Sequence, residues 1–141
     1  MVDLHPTVCN ICGGKVIYID NKEIYGKSYG SGKCYLCTSC GAHVGTHKPR
    51  PDEALGLLAD ERMRKGKKFC HDLFDQLWLN APKGKKRIQA RTNAYAWLAK
   101  QMDVPVEECH LGYFDLNQLR KAYVILRDEI QRRSNQTAKV V

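Results

Sequence analysis

Two Cys-x2-Cys pairs, Cys9-Asn10-Ile11-Cys12-Gly13 and Cys37-Thr38-Ser39-Cys40-Gly41, constrain this chain more than any other feature. Two residues between thiolates let both sulfurs reach one metal ion at about 2.3 Å, and a trailing glycine relieves crowding where backbone amides turn toward sulfur. Twenty-four residues separate the pairs. That is room for a β-hairpin that lays the second pair on the first. The spacing predicts a zinc ribbon, with Cys9, Cys12, Cys37 and Cys40 around one Zn²⁺. A rubredoxin-type iron would use the same ligands, but soft thiolates in tetrahedral array favour zinc.

Cys34 offers a competing register, because Cys34-x2-Cys37 is also a pair. Cys37 and Cys40 are preferred, since only they have the trailing glycine and follow the expected strand. His43 and His47 lie close by and are read as polar strand and loop residues beside a complete four-cysteine set.

The start, Met1 to Pro6, has neither a basic nor an apolar leader segment, and no apolar run approaches the roughly 20 residues that span a bilayer. A cytoplasmic protein without membrane contact is therefore expected. In that reducing setting seven cysteines point to metal rather than to disulfides. The 141 residues suit one domain or two small ones, and 43% hydrophobic content argues against bulk disorder.

Short β-type runs, Val16–Ile19 and Cys34–Leu36, flank the glycine-rich stretch from Gly26 to Gly32 and read as a small antiparallel sheet with a loose tip. Pro49 and Pro51 then stop both ladders and helices. We place a boundary there, giving a zinc ribbon over 1–50, a three-helix domain over 51–134 and a flexible tail over 135–141. The fold class is thus α+β. Asp60 caps a helix running to about Leu79, with Met63, Cys70, Phe74 and Leu77 on its apolar face. A second helix, about Lys86 to Met102, turns Ile88, Thr92, Tyr95, Ala99 and Met102 inward. A third begins at Asp115, where Gln118 completes a capping box, and buries Leu119, Tyr123, Leu126 and Ile130. Phe74, Trp78, Trp97 and Phe114 are the expected core aromatics.

The net charge is +8, divided as +3 over residues 1–50, +5 over 51–100 and 0 over 101–141. A basic middle third is what a polyanion partner would meet. Two places concentrate the relevant side chains. Around the hairpin tip stand Tyr25, Lys27, Tyr29 and Lys33, a mixture that lets cations meet phosphate while rings stack on bases. An equal reading has the tyrosines cover a small sheet with little else apolar to pack, and both readings stand. Beyond the basic run Arg62–Lys68, the loop Lys83-Gly84-Lys85-Lys86-Arg87 adds four cations without an interleaved acid.

Two alike dipeptides, Cys70-His71 and Cys109-His110, leave His71, Cys109 and His110 as an unassigned candidate site. No ligand-spacing rule joins them, and Cys70 on an apolar face behaves as a small hydrophobe. No phosphate-binding glycine loop and no nucleophile elbow occurs, so no catalytic residue is assigned.

Several segments together resemble a family of small zinc-finger-containing proteins of phages and prophages. They are the two cysteine knuckles, Ile24–Gly30, His71–Trp78, Tyr95–Ala99 and Cys109–Asp115, and the likeness covers residues 9 to 126 or so. The resemblance implies zinc at the four knuckle cysteines and a phage origin; it implies no catalytic residues. The resulting expectation is a non-enzymatic, zinc-binding, nucleic-acid-binding accessory protein that takes single strands or binds without sequence preference. The alternative is a phage factor that docks on a host or phage protein and modulates it; a metal-dependent nuclease ranks last.

Overall fold

Alternating side chains in Val16–Asp20 (β1) and Lys33–Cys37 (β2) build an antiparallel pair, with Val16 opposite Cys37 and Tyr18 opposite Tyr35. A computed structural model describes residues 2–140, with side chains as far as Gln136. His43–Gly45 (β3) adds to the other edge of β2, so the sheet has three strands in the order β1-β2-β3. A four-residue helix, Lys22–Tyr25 (α1), stands between β1 and β2. Neither α1 nor β3 is foreseen by the sequence.

Val16, Tyr35, Cys37 and Val44 share one sheet face and bury themselves with Cys9, Ala42, Ala54 and Leu58. The chain therefore does not leave this sheet at the proline pair. Ala54 N–H donates to the Leu4 carbonyl at 2.8 Å, and Ala59 N–H to that of His43 at 2.9 Å. Asn10 holds Leu58 by two bonds, its Nδ2 donating to the Leu58 carbonyl at 3.0 Å and its Oδ1 accepting from the Leu58 N–H at 2.9 Å. The contacts divide the chain after Arg64, fourteen residues later than position 50. The reason is physical: a small sheet with one buried face needs apolar cover, and residues 54–59 supply it.

Glu61–Asp75 (α2) begins before that division and continues past it. Its start is the expected one, with Asp60 Oδ1 accepting from the Met63 N–H at 2.9 Å. Regular helix ends at Asp75, and hydrogen-bonded turns carry the chain to Asn80. Lys85–Met102 (α3) follows, and Asp103 ends it in the left-handed conformation at φ +58°. Single turns at Val106–Glu108 and Leu111–Tyr113 lead to Leu116–Val140 (α4). Asp115 and Gln118 form the capping box: Gln118 N–H donates to Asp115 Oδ1 at 2.8 Å and Asp115 N–H to Gln118 Oε1 at 3.0 Å.

The faces of the later helices need correction. In α3 the buried residues are Ala94, Leu98, Ala99 and Met102. Ile88 is 68% exposed and Thr92 is exposed as well. In α4 the buried stripe is Leu119, Ala122 and Leu126, whereas Tyr123 is 40% exposed. Both helices carry apolar residues on two faces, and small alanines beat larger residues for the close-packed side. Phe74 and Phe114 are buried; Trp78 and Trp97 are only partly so. The helix expected to end near Ser134 continues to Val140, and Val141 with the side chains beyond Gln136 lies outside the described residues. The protein is α+β, a small antiparallel sheet bearing clustered cysteines, followed by helices.

Candidate metal centre and basic surfaces

The Sγ atoms of Cys9, Cys12, Cys37 and Cys40 all lie within 4.8 Å of one another. Cys9 and Cys40 are 3.7 Å apart, Cys12 and Cys37 3.5 Å. A tetrahedron of thiolates about 2.3 Å from a metal has edges of about 3.8 Å, so the donor set fits such an ion. All four positions are protein thiols, which leaves no open coordination site for chemistry. A closed four-thiolate set of this kind is the donor set of structural rather than catalytic metal sites.

The two pairs are built alike. In each, the amide two residues past the first cysteine points at its sulfur: Ile11 N–H to Cys9 and Ser39 N–H to Cys37, both 3.4 Å. Gly13 and Gly41 then take φ +77° and +81°, and their N–H groups return to the carbonyls of Cys9 and Cys37. Side chains rarely adopt that backbone, which explains the trailing glycines. Gly14 meets a different constraint. A Cβ placed on it would lie 2.6 Å from Ser39 Oγ and 3.0 Å from Cys37 Sγ.

The amides of Cys40 and Ser39 hold the Cys37 thiol down to about 6. The Ala42 amide draws Cys40 the same way, but burial and the neighbouring thiols Cys12, Cys37 and Cys9 push it up to about 12. Packed sulfurs cannot all ionise together without a cation to offset their repulsion.

Cys34 stands outside this cluster. It is three residues from Cys37 along β2, hence on the opposite sheet face, and it is fully buried there. His43 and His47 are also absent from the cluster. His43 instead bonds the Tyr25 hydroxyl at 3.0 Å through Nε2.

At the tip, the structure gathers Tyr25, Lys27 and Tyr29. The two rings meet edge to face with centroids 5.5 Å apart, and Lys27 Nζ lies 5.2 Å from the Tyr29 centroid. Both rings are about half exposed. Asn21 pins this loop, and sequence reasoning passes it over. Its signal was available: an asparagine directly after a strand and before a glycine-rich stretch is a turn former. Lys33 is placed differently. It pairs with Asp20, whose side-chain hydrogen bond and charge raise the Lys33 pKa, and it sits over the Tyr18 ring.

Lys83, Lys85 and Lys86 are exposed and have no ion-pair partner among the described residues. Arg87 is occupied. Its guanidinium donates to the carbonyls of Ala81 and Leu79, both at 3.0 Å, and so clamps the turns that precede α3.

The unassigned candidates do not assemble. Cys109 is buried, whereas His71 and His110 are exposed. The His110 ring lies 4.7 Å from Tyr113 and 5.8 Å from Tyr95. Among the described residues, the knuckle cysteines are the one group of three or more potential ligands close enough to share an ion. No helix among those residues is long and apolar enough to cross a membrane.

Four clustered thiols on two glycine-ended knuckles define a closed cysteine metal site. The chain belongs to the zinc-finger-containing domain family, whose model matches residues 5–129. No curated protein and no solved structure matches it.

Proposed function

We propose that the four cysteines hold one structural Zn²⁺ and that the protein is a non-enzymatic nucleic-acid-binding accessory factor of a phage or prophage. Zinc fits because the family is a zinc-finger one and because four soft thiolates at tetrahedral spacing suit it. The likeness of His71–Trp78 and Cys109–Asp115 to phage and prophage proteins supports the setting.

The observation that carries nucleic-acid binding is the exposed Tyr25–Lys27–Tyr29 cluster, whose loop Asn21 ties down by two hydrogen bonds to the Tyr29 backbone. Preorganised rings beside a cation are what base stacking on single strands requires. The placement of Lys85 and Lys86 in the first turn of α3 adds support. A helix N-terminus disfavours positive charge by about 0.3–1 kcal/mol per residue. No acid and no side-chain cap offsets that cost here. Cations kept where they reduce stability serve a partner of opposite sign.

The test is fluorescence anisotropy on labelled oligonucleotides between low and physiological salt. Log affinity should fall linearly with log salt, by roughly 0.7 per contacted phosphate on a single strand. Tyr29→Ala should cost on the order of 1–3 kcal/mol and leave the slope unchanged, because stacking releases no ions. Dissociation constants weaker than about 10⁻⁴ M at low salt would refute this reading.

A further inference from the structure

We propose that the groove between α2 and α4 docks an acidic amphipathic helix of a partner protein. The groove encloses about 440 Å³, within the roughly 300–1,000 Å³ of clefts that seat ligands. Its walls are Phe69 of α2 and Leu119, Tyr123 and Val124 of α4, with Arg120 and Arg127 among them. Phe69 is 57% exposed, Val124 44% and Tyr123 40%. Three large apolar side chains left open on one surface are more than scattered exposure explains.

The shape selects a helix. The α4 residues lining the groove, from Leu116 to Arg127, follow one helical face over three turns, about 16 Å at 1.5 Å per residue. A groove whose lining runs that far along one helix face fits a helix that presents anchors at i, i+3, i+4 and i+7.

The rim selects the charge. None of the lining residues is acidic. Arg120 is exposed and has no ion-pair partner among the described residues. Arg127 leans over the Tyr123 ring at 5.9 Å and reaches Asp128 at 3.1 Å. Carboxylates flanking the anchors of an incoming helix would meet these guanidinium groups, which favour planar, bidentate partners. A second copy of this chain brings the same arginines and the same +8 charge, so self-docking sets like charge against like. A nucleic acid would find little besides apolar wall between the arginines.

The experiment selects a displayed library of random 16-residue peptides on the full-length protein. Enriched peptides should repeat apolar residues at three- and four-residue intervals and carry net negative charge. Val124→Glu and Arg120→Glu, both at exposed positions, should each weaken their binding at least about tenfold, with unchanged circular dichroism and melting. Because Arg120→Glu replaces no apolar group, it reads the groove even where Val124→Glu perturbs the helix. Enrichment of basic or extended peptides, or of none sensitive to these variants, overturns the proposal. So does a concentration-dependent dimer that Val124→Glu abolishes, or binding to anionic phospholipid vesicles that it abolishes. The first outcome assigns the groove to self-association, the second to a lipid surface.

Discussion

Asn21 and Tyr29 hold each other across the tip loop: Asn21 Nδ2 donates to the Tyr29 carbonyl at 2.7 Å, and Tyr29 N–H donates back to Asn21 Oδ1 at 3.2 Å. Asn21 is 6% exposed, so its amide has little access to water as a substitute. Asn21→Ala should cost about 1–2 kcal/mol by removing both hydrogen bonds to the Tyr29 backbone. It should also loosen Tyr25 and Tyr29 and weaken oligonucleotide binding, although Asn21 contacts no ligand. Hydrogen exchange at the Tyr29 amide, measured beside anisotropy, checks both outcomes. An unprotected amide with unchanged affinity would separate loop order from binding.

Cys12→Ser and Cys40→Ser should lose the zinc and unfold the sheet, since a structural zinc site typically supplies around 10 kcal/mol of apparent folding free energy. Cys34→Ser should keep the metal, because that thiol lies on the opposite face of β2. Elemental analysis of the purified variants decides it. Zinc lost from Cys34→Ser and retained in Cys40→Ser would reverse the ligand assignment.

The loop before α3 divides into two kinds of cation. Changing Lys83, Lys85 and Lys86 to Ala should flatten the salt dependence of binding and, by relieving two cations at the start of α3, raise stability by about 0.6–2 kcal/mol. Arg87→Ala should do the opposite. It removes two hydrogen bonds to carbonyls, worth about 1–3 kcal/mol, and should lower the melting temperature with little change in slope.

Which parts of this could be read in advance follows from how local the determining interactions are. The Asp60 cap and the Asp115–Gln118 box involve residues three apart, and the pattern names them directly. The two knuckles are likewise short-range signatures. β3 has three residues and α1 four, too few for any period to register; β3 forms by pairing with β2, and α1 is a single turn closed by local bonds to Asn21 and Lys22. The inward face of α3 misled for another reason. Ile88, Tyr95 and Met102 suggest one stripe, while Ala94 and Leu98 suggest another, and only the packing partners choose. Residues 54–59 lack periodicity, yet their hydrogen bonds to Leu4, Asn10 and His43 make them part of the sheet. Within the candidate site, the metal-ligand geometry was legible. The occupation of Lys33 by Asp20 and of Arg87 by two carbonyls was not, because both bonds depend on folded proximity.

Burial pushes the Cys70 and Cys109 thiols up to about 11. In the unfolded chain they ionise near 9, so above that pH the unfolded state binds fewer protons than the native one. Their contribution to stability is present in full below pH 9 and is lost as pH rises toward 11. The slope is at most about 1.4 kcal/mol per pH unit for each thiol. Thermal melts of the helical unit between pH 8 and 10.5 should show this decline. A combined Cys70→Ala, Cys109→Ala variant should remove it. Neither thiol should react with iodoacetamide in native protein at pH 8.

The near-contact of Gly14 with Ser39 also bears on how the family can diverge. A methyl group at position 14 collides first with the Ser39 side chain and then with the Cys37 sulfur of the thiol cluster. The two positions therefore do not accept changes independently. Any lineage that enlarges residue 14 must first have lost the side chain at 39, so aligned sequences should show the substitutions in that order and the combination of large with large should be missing. Because the sulfur of Cys37 remains as a second obstacle, even the permitted path should be rare.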